Sequence, residues 1–366
     1  LYSAITRAPN RRYSFYWAVY GGNIGDRANR LIDHRGGQLI DIESADKFFK
    51  ELGDKVEVLD RIKSPHPYSV SMALGLAKKY CRDDQYAMEW AELLHKEVEH
   101  VREYVTGEDY PLHPQNNNLP PDQILKNLVE GFITRTEILR RACLICGRWG
   151  TDKANREVVD VIRSLAFEEL GLSGLELELR KFGASLCFYW HTVGLIEAKN
   201  WLLLKELFNA QIKDRSGCMK PLVYQLPPQT WNSHHSFRPD DQQKKSMINK
   251  IYFDNLNKEI QDIALGGSRV EQLHLFTEFY IAIGFIIAQQ DIKGIEIDPN
   301  PDDFRRYNKP LWLFKLRTVD GRQYVKLQRE KAGADDQHFE VGLLCPKKQR
   351  FESAVSILEN IIDCPY

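Results

Sequence analysis

The sequence predicts an α/β fragment followed by a mainly helical body and a small C-terminal α+β element. Strand and helix patterns alternate over residues 1–60. Apolar residues then recur at helical spacing over residues 61–290. Residues 291–366 combine a β-hairpin signal with a closing helix. We therefore expect three domains with these bounds.

The first domain contains two strand patterns and two helix patterns in alternation. The aromatic run at residues 13–20 and the shorter run at 38–42 are typical of buried strands. Residues 25–33 and 45–52 have helical spacing. Because two parallel strands do not make a stable sheet alone, we expect the last βαβα unit of a Rossmann-like sheet. The other strands would lie upstream of this sequence.

Long amphipathic helices are predicted after residue 65. The clearest span residues 84–105 and 122–148, each with an apolar stripe at helical spacing. Their predicted core residues are Trp90, Leu94, Val98, Val101, Leu125, Leu128, Phe132 and Leu139. Further helices are predicted over residues 155–170, 175–196, 198–212, 246–264 and 270–289.

A long segment without period, residues 215–243, interrupts the helical body. It carries aromatic and histidine side chains among prolines, namely Tyr224, Trp231, His234, His235 and Phe237. Aromatic side chains on a polar loop are favoured as contact anchors, so a contact loop is expected rather than a metal site. The loop either docks against another subunit, an upstream domain or the trigger, or folds back on its own helices.

The C-terminal domain is predicted to begin with strands. Residues 311–316 and 323–327 flank Asp320-Gly321, which is a two-residue hairpin signal. Residues 339–344 could add a third strand, and residues 350–362 have the spacing of a helix.

Composition narrows the class of protein. The 50 Lys+Arg residues balance 51 Asp+Glu residues, so the overall charge does not indicate nucleic acid as a partner. The longest apolar stretches, residues 184–196 and 279–288, are shorter than the roughly 20 residues that a membrane helix needs. Seven irregularly spaced cysteines without a visible secretory signal favour reduced thiols in the cytoplasm. We expect a cytoplasmic protein that does not enter the membrane.

The pair Cys143 and Cys146 has the spacing of zinc ribbons and redox proteins. A structural zinc site needs a second pair of ligands at comparable spacing, and the sequence offers none. Both sulfurs lie on the apolar stripe of a strongly predicted helix. We therefore expect core thiols, and no metal site is predicted anywhere in the chain.

Histidines are the other candidate ligands. His95 and His100 flank Glu97 and Glu99, but a spacing of five places the two imidazoles on different helix faces. We interpret this segment as a solvated charged face. His191 follows three aromatic residues in an apolar helix, where we expect a packed cluster in which the imidazole finds a polar partner.

The turn Gly21-Gly22-Asn23 follows a strand and precedes a helix, which is where a parallel sheet binds nucleotides. A tight βα turn without a ligand is the alternative interpretation. Together with Phe15-Tyr16-Trp17 and residues 38–49 (QLIDIESADKFF), this turn resembles the end of a bacterial sirtuin-like domain found in antiviral defence effectors. Residues 179–204 resemble a helical segment that follows such domains.

The resemblance implies cleavage of NAD at the nicotinamide–ribose bond. The family's Gly-rich loop, its Asn-Asp strand end and its catalytic His are not present in this chain, so no catalytic residue is assigned. The residues that match the adenosine end of the pocket are Gly21, Gly22, Asn23, Glu43, Ser44 and Asp46. A carboxylate there would accept hydrogen bonds from a ribose hydroxyl, although Ser44 and Asp46 could equally cap a helix N-terminus.

The expected function is therefore that of a fragment of a sirtuin-like NAD hydrolase effector of antiviral defence. Its helical region would sense a trigger or assemble subunits, as a homo-oligomer or with a partner protein of the defence system. The alternative is a non-enzymatic helical interaction or scaffold module of a multi-protein complex.

Overall fold

The structure is a computed structural model, and its description covers part of the chain. The described residues are 70–111, 121–166, 181–214, 217–226, 255, 257–260, 270–297, 300, 316–332 and 347–363. All of them belong to one unit, Val70–Tyr366. The predicted βαβα unit lies outside the described residues, so it and the three predicted domain bounds stay predictions.

The described part of the chain is mainly helical, as predicted for its central region. Its helices are α1 (Val70–Tyr80), α2 (Ala87–Thr106), α3 (Pro121–Arg135), α4 (Glu137–Trp149), α5 (Asp152–Ala166), α6 (Phe182–Glu197), α7 (Trp201–Asn209), α8 (Leu222–Gln225), α9 (Val270–Ile292), α10 (Val319–Ala332) and α11 (Lys348–Asp363). A 3-10 turn, Asp84–Tyr86, precedes α2. Strands β1 (Gln211–Lys213) and β2 (Met219–Pro221) form an antiparallel pair.

Helix α6 is the centre of the unit. Every residue of α6 except Glu197 is buried, because the helix is apolar on all sides. It packs against α4, α5, α7 and α9. Its contact with α4 is unusually close: a Cβ atom added to Gly147 would lie 2.7 Å from the backbone oxygen of His191. The interaxial distance of two helices depends on the side chains between them, so a glycine at the crossing brings these backbones together.

The predicted helical stripes are confirmed where the structure describes them. Trp90, Leu94, Val98 and Val101 on α2 are buried, as are Leu128, Phe132 and Leu139. The side chain of Leu125 lies outside the described residues.

The single helix predicted over residues 122–148 is wrong in one respect, because it divides at Thr136 into α3 and α4. The Thr136 hydroxyl donates to the backbone oxygen of Phe132 at 2.7 Å, and Arg140 donates to the oxygen of Ile133. Side chains that bond to the carbonyls of the preceding turn compete with the helical ladder and bend the chain.

The first part of the segment predicted as a long loop is folded. The helix predicted over residues 198–212 is wrong at its end, because α7 stops at Asn209 and β1 follows. Within the predicted loop, β2 pairs with β1, with Ile212 opposite Lys220, and the short helix α8 follows. The Tyr224 ring stacks on Phe285 of α9, with ring centroids 5.4 Å apart. For this part, the interpretation as a loop folded back on its own helices is correct. Trp231, His234, His235 and Phe237 lie outside the described residues.

The hairpin predicted around Asp320-Gly321 is wrong, since these residues begin helix α10, which also contains residues 323–327. The Thr318 hydroxyl accepts a hydrogen bond from the Gly321 amide at 3.2 Å, which is a helix N-cap contact. The same polar dipeptide suits a tight turn and the first turn of a helix. The closing helix predicted over residues 350–362 is confirmed as α11.

Helix α9 is long and apolar enough to cross a membrane by length and composition, and the only such helix among the described residues. Within the structure, 78% of its apolar window is buried, as in the core helix of a soluble protein. It covers and extends the helix predicted over residues 270–289.

Candidate functional site

The predicted NAD-contacting residues cannot be placed relative to one another. Gly21, Gly22, Asn23, Glu43, Ser44 and Asp46 all lie outside the described residues. The predicted adenosine-binding site therefore stays a prediction. The polar groups that the structure does bring together lie around α6.

A buried series of polar contacts joins α6 to α9. The Tyr189 hydroxyl is hydrogen-bonded to Nδ1 of His274, and Nε2 of His274 lies 3.2 Å from Oε1 of Glu278. The second carboxylate oxygen of Glu278 accepts from the Leu316 amide at 3.1 Å. All three side chains are buried. We call Tyr189, His274 and Glu278 the α6–α9 polar chain.

Local sequence explains half of this arrangement. His274 and Glu278 are four residues apart on α9, so their side chains are neighbours on one helix face. Two polar residues one turn apart in an otherwise apolar helix are a recognisable signal of a buried polar contact, which our reading of the sequence missed. Tyr189 could not be added from sequence, because it reaches His274 only through the packing of α6 on α9.

The α6–α9 polar chain has the groups for proton movement, from a phenol through an imidazole to a carboxylate. None of the three side chains lines the open groove beside α2 and α3, whose lining includes Asp109, Glu130 and Arg135. In a medium of low dielectric, satisfied polar contacts of this kind favour one arrangement of the helices over others. We therefore interpret these contacts as structural: they hold α6, α9 and the chain at Leu316 together.

A second buried contact ties α4 to the helical residues 257–260. Nε of Arg140 donates to both carboxylate oxygens of Glu259, at 3.0 and 3.3 Å, and both side chains are 3% exposed. The Arg140 guanidinium also lies over the Trp190 ring, 5.6 Å from its centroid. Burial raises the pKa of the Glu259 carboxyl, and the charge of Arg140 opposes that rise. The sequence spacing of 119 residues gives no signal for this ion pair.

His191 lies in a packed aromatic environment on α6, as predicted. Its Nδ1–H donates to the backbone oxygen of Cys143 at 2.9 Å, which is the polar partner that we expected. Burial lowers the pKa of His191 to about 4, so the imidazole is neutral at physiological pH. The prediction of a packed cluster is confirmed.

Cys143 and Cys146 are free, buried thiols, which agrees with their prediction as core residues. Cys187 is the neighbouring thiol of Cys143, and Cys81 is that of Cys146. Burial raises the pKa of both thiols, which makes them poor nucleophiles and poor metal ligands. Within the described ranges, no group of three or more His, Cys, Asp or Glu side chains is arranged to hold a metal ion.

The charged face predicted around His95 is wrong at Glu97. His95 is exposed, whereas Glu97 is fully buried. The helical period explains the difference: Glu97 lies three residues after Leu94 and four before Val101, on the buried stripe of α2. An acidic residue was expected on the surface from its type alone.

An open groove of about 500 Å³ lies between the end of α2 and α3. Its lining includes Asp109, Glu130 and Arg135, and Arg135 lies over the Tyr104 ring, 5.7 Å from the centroid. Because the groove presents both signs of charge, its electrostatics do not select one class of ligand.

No family model matches this chain, and neither a curated protein nor a solved structure matches it significantly.

Proposed function

We propose that this chain is a fragment of a cytoplasmic, sirtuin-like NAD hydrolase that acts in antiviral defence, with a helical unit that senses a trigger or assembles subunits. The observation that carries the proposal is the order and spacing of the matched stretches, from Phe15-Tyr16-Trp17 to residues 179–204. The second stretch contains α6, on which the described helices are assembled.

NAD would be the substrate, and this chain would contribute the adenosine end of its pocket. Gly21, Gly22 and Asn23 would border the nucleotide after the first predicted strand. After the second strand, Glu43 or Asp46 would accept a hydrogen bond from a ribose hydroxyl. The catalytic residues would come from sequence outside this chain.

A sensing or assembly role needs a unit that keeps one arrangement until a partner binds. The α6–α9 polar chain and the Arg140–Glu259 ion pair support such a role, because each couples two segments through buried groups that are costly to separate. If a partner displaced one of two segments that are coupled in this way, the other segment would also have to move.

The test is nicotinamide release from NAD by the longer parent protein and by this chain alone. We expect turnover by the parent, in the presence of its trigger, and none by the 366-residue chain. In the parent, Glu43→Gln and Asp46→Asn should raise KM for NAD, whereas Glu57→Gln, outside the matched stretch, should not. Turnover by the chain alone would show that the catalytic residues lie within it.

A non-enzymatic helical interaction module is the second candidate. The observation that favours it is that the buried polar groups around α6 join helices to one another, as the His191–Cys143 hydrogen bond does. Light scattering and co-purification from cells would distinguish the two functions. A parent protein that forms its complex and protects cells without consuming NAD would establish the module and exclude the hydrolase.

A further inference from the structure

Cations and aromatic rings converge where the ends of α1 and α4 meet. The backbone explains the convergence: the Thr151 amide, just after α4, donates to the oxygen of Cys81, just after α1, at 2.8 Å. This contact places Trp149, the last residue of α4, beside the last turn of α1. We call the group the Trp149 surface; its members are Lys78, Lys79, Tyr80, Arg82, Tyr86 and Trp149.

The cations of this surface lie over rings. The guanidinium of Arg82 lies 5.0 Å from the centroid of the Trp149 ring, and Nζ of Lys78 lies 5.7 Å from it. Nζ of Lys79 lies 4.5 Å from the centroid of Tyr86, whose ring is 5.5 Å from that of Tyr80. Lys79 and Arg82 are exposed. The three rings are each partly exposed.

Within the part of the chain that the structure describes, no carboxylate lies within 4.0 Å of the charged nitrogens of Lys78, Lys79 or Arg82. Other exposed arginines there do form ion pairs, such as Arg102 with Glu99 and Arg156 with Glu206. The nearby Asp83 accepts two hydrogen bonds from Gln85.

Three further charged side chains border the surface. Asp84 accepts a hydrogen bond from the Thr151 hydroxyl, and Arg148 lies over the Trp149 ring at 4.6 Å while remaining 3.9 Å from Glu197. The acids reduce the local excess of positive charge. The surface is therefore suited to a few phosphates rather than to a long, highly charged duplex.

We propose that the Trp149 surface binds a short segment of single-stranded nucleic acid. Lys78, Lys79 and Arg82 contact phosphates, and bases stack on the partly exposed rings. Stacking platforms beside a basic track are the chemistry by which proteins hold single strands without reading sequence. A free phosphate or a phospholipid headgroup would use the cations but not the exposed parts of the rings. This inference does not depend on NAD hydrolysis.

The overall charge of −1 conceals this surface, because charge summed over the chain does not show how it is distributed. Lys78 and Trp149 are also distant in sequence. The surface exists only because α1 and α4 end at the same place.

Fluorescence anisotropy with a short fluorescein-labelled oligothymidylate tests the proposal on the whole chain. We expect binding that weakens with salt, with a log–log slope of about −2 for three neutralised phosphates. An abasic oligonucleotide of the same length should bind at least tenfold more weakly, because it lacks the stacking contribution. Equal binding of the two would overturn the assignment to single strands.

The key variant is the double charge reversal Lys79→Glu/Arg82→Glu, at two exposed positions. It should weaken binding at least tenfold. Its matched control, Lys126→Glu/Arg322→Glu, changes the net charge by the same amount at exposed positions elsewhere and should bind like the wild type. Circular dichroism verifies that both variants fold. No binding by the wild type, or equal binding by both variants, would overturn the proposal.

Anionic vesicles test whether the surface binds a membrane instead. Vesicles of phosphatidylcholine with phosphatidylserine should compete only weakly for the labelled oligonucleotide. Stronger binding to the vesicles than to the oligonucleotide would assign the surface to a membrane and would exclude the single-strand proposal.

Discussion

Tyr189 and His274 are hydrogen-bonded in the buried interface between α6 and α9, although 85 residues separate them in sequence. The other ring nitrogen of His274 lies 3.2 Å from Glu278, whose second carboxylate oxygen accepts a hydrogen bond from the Leu316 amide. Through these contacts, the Tyr189 hydroxyl on α6 is linked both to α9 and to the chain at Leu316.

Replacing Tyr189 with Phe should destabilise the protein. The substitution removes the hydroxyl and leaves Nδ1 of His274 buried without its partner, which costs about 1–3 kcal/mol. Urea unfolding measures the loss. Tyr224→Phe is the matched control, because the Tyr224 ring keeps its stacking on Phe285 without the hydroxyl. Equal, small losses in both variants would show that the Tyr189 hydrogen bond contributes little.

Replacing Arg140 with Met should be more costly. Glu259 would remain buried and unpaired, and breaking a buried ion pair from one side costs about 3–5 kcal/mol. The double variant Arg140→Met/Glu259→Leu should recover most of that loss in the free energy of unfolding. Arg102→Met, which breaks an exposed ion pair, should cost about 1 kcal/mol or less. A double variant as unstable as Arg140→Met would contradict the assignment.

Stability should depend on pH through His191. Its folded-state pKa is lowered from 6.5 to about 4, so the unfolded chain takes up a proton at a higher pH than the folded chain does. The free energy of unfolding should therefore fall as the pH drops from 6.5 towards 4, by about 3 kcal/mol from this residue.

His191→Gln tests this dependence, because its amide can still donate to the oxygen of Cys143 but does not titrate. Urea unfolding between pH 4 and 8 should show a shallower slope for the variant than for the wild type. The exposed His95→Gln serves as control. Identical slopes for His191→Gln and the wild type would show that the imidazole is not held neutral.

Replacing Gly147 with Ala should separate α4 from α6. The added Cβ would lie 2.7 Å from the oxygen of His191 and 2.9 Å from the Leu195 amide nitrogen, both backbone atoms. Overpacking of this kind costs about 1–3 kcal/mol. Gly75→Ala is the matched control, because nothing lies within 4 Å of its added Cβ and an exposed helical alanine stabilises by about 1 kcal/mol. Opposite signs are expected in thermal melts, and a neutral Gly147→Ala would contradict the close crossing.

The sequence predicted the helical stripes of this protein well. Trp90, Leu94, Val98 and Val101 are buried because helical spacing alone places them on one face. The sequence also predicted the packed environment of His191, because the helix around it is almost entirely apolar and aromatic. The prediction failed at Asp320-Gly321, where one dipeptide suits both a hairpin turn and the first turn of a helix.

The resemblance to sirtuin-like domains is based on the sequence alone. The prediction that Gly21, Gly22, Asn23, Glu43, Ser44 and Asp46 bind adenosine rests on it, and these residues lie outside the described part of the chain.

What the sequence by itself determined is local: which segments are helices, and which face of each helix is buried. These follow from contacts between residues three and four apart. Tertiary structure alone decided the partners: Tyr189 with His274, Arg140 with Glu259, and Arg82 with Trp149. Each of these pairs joins residues more than 60 positions apart, so its formation depends on how helices cross and where they end. No periodicity in the sequence encodes that geometry.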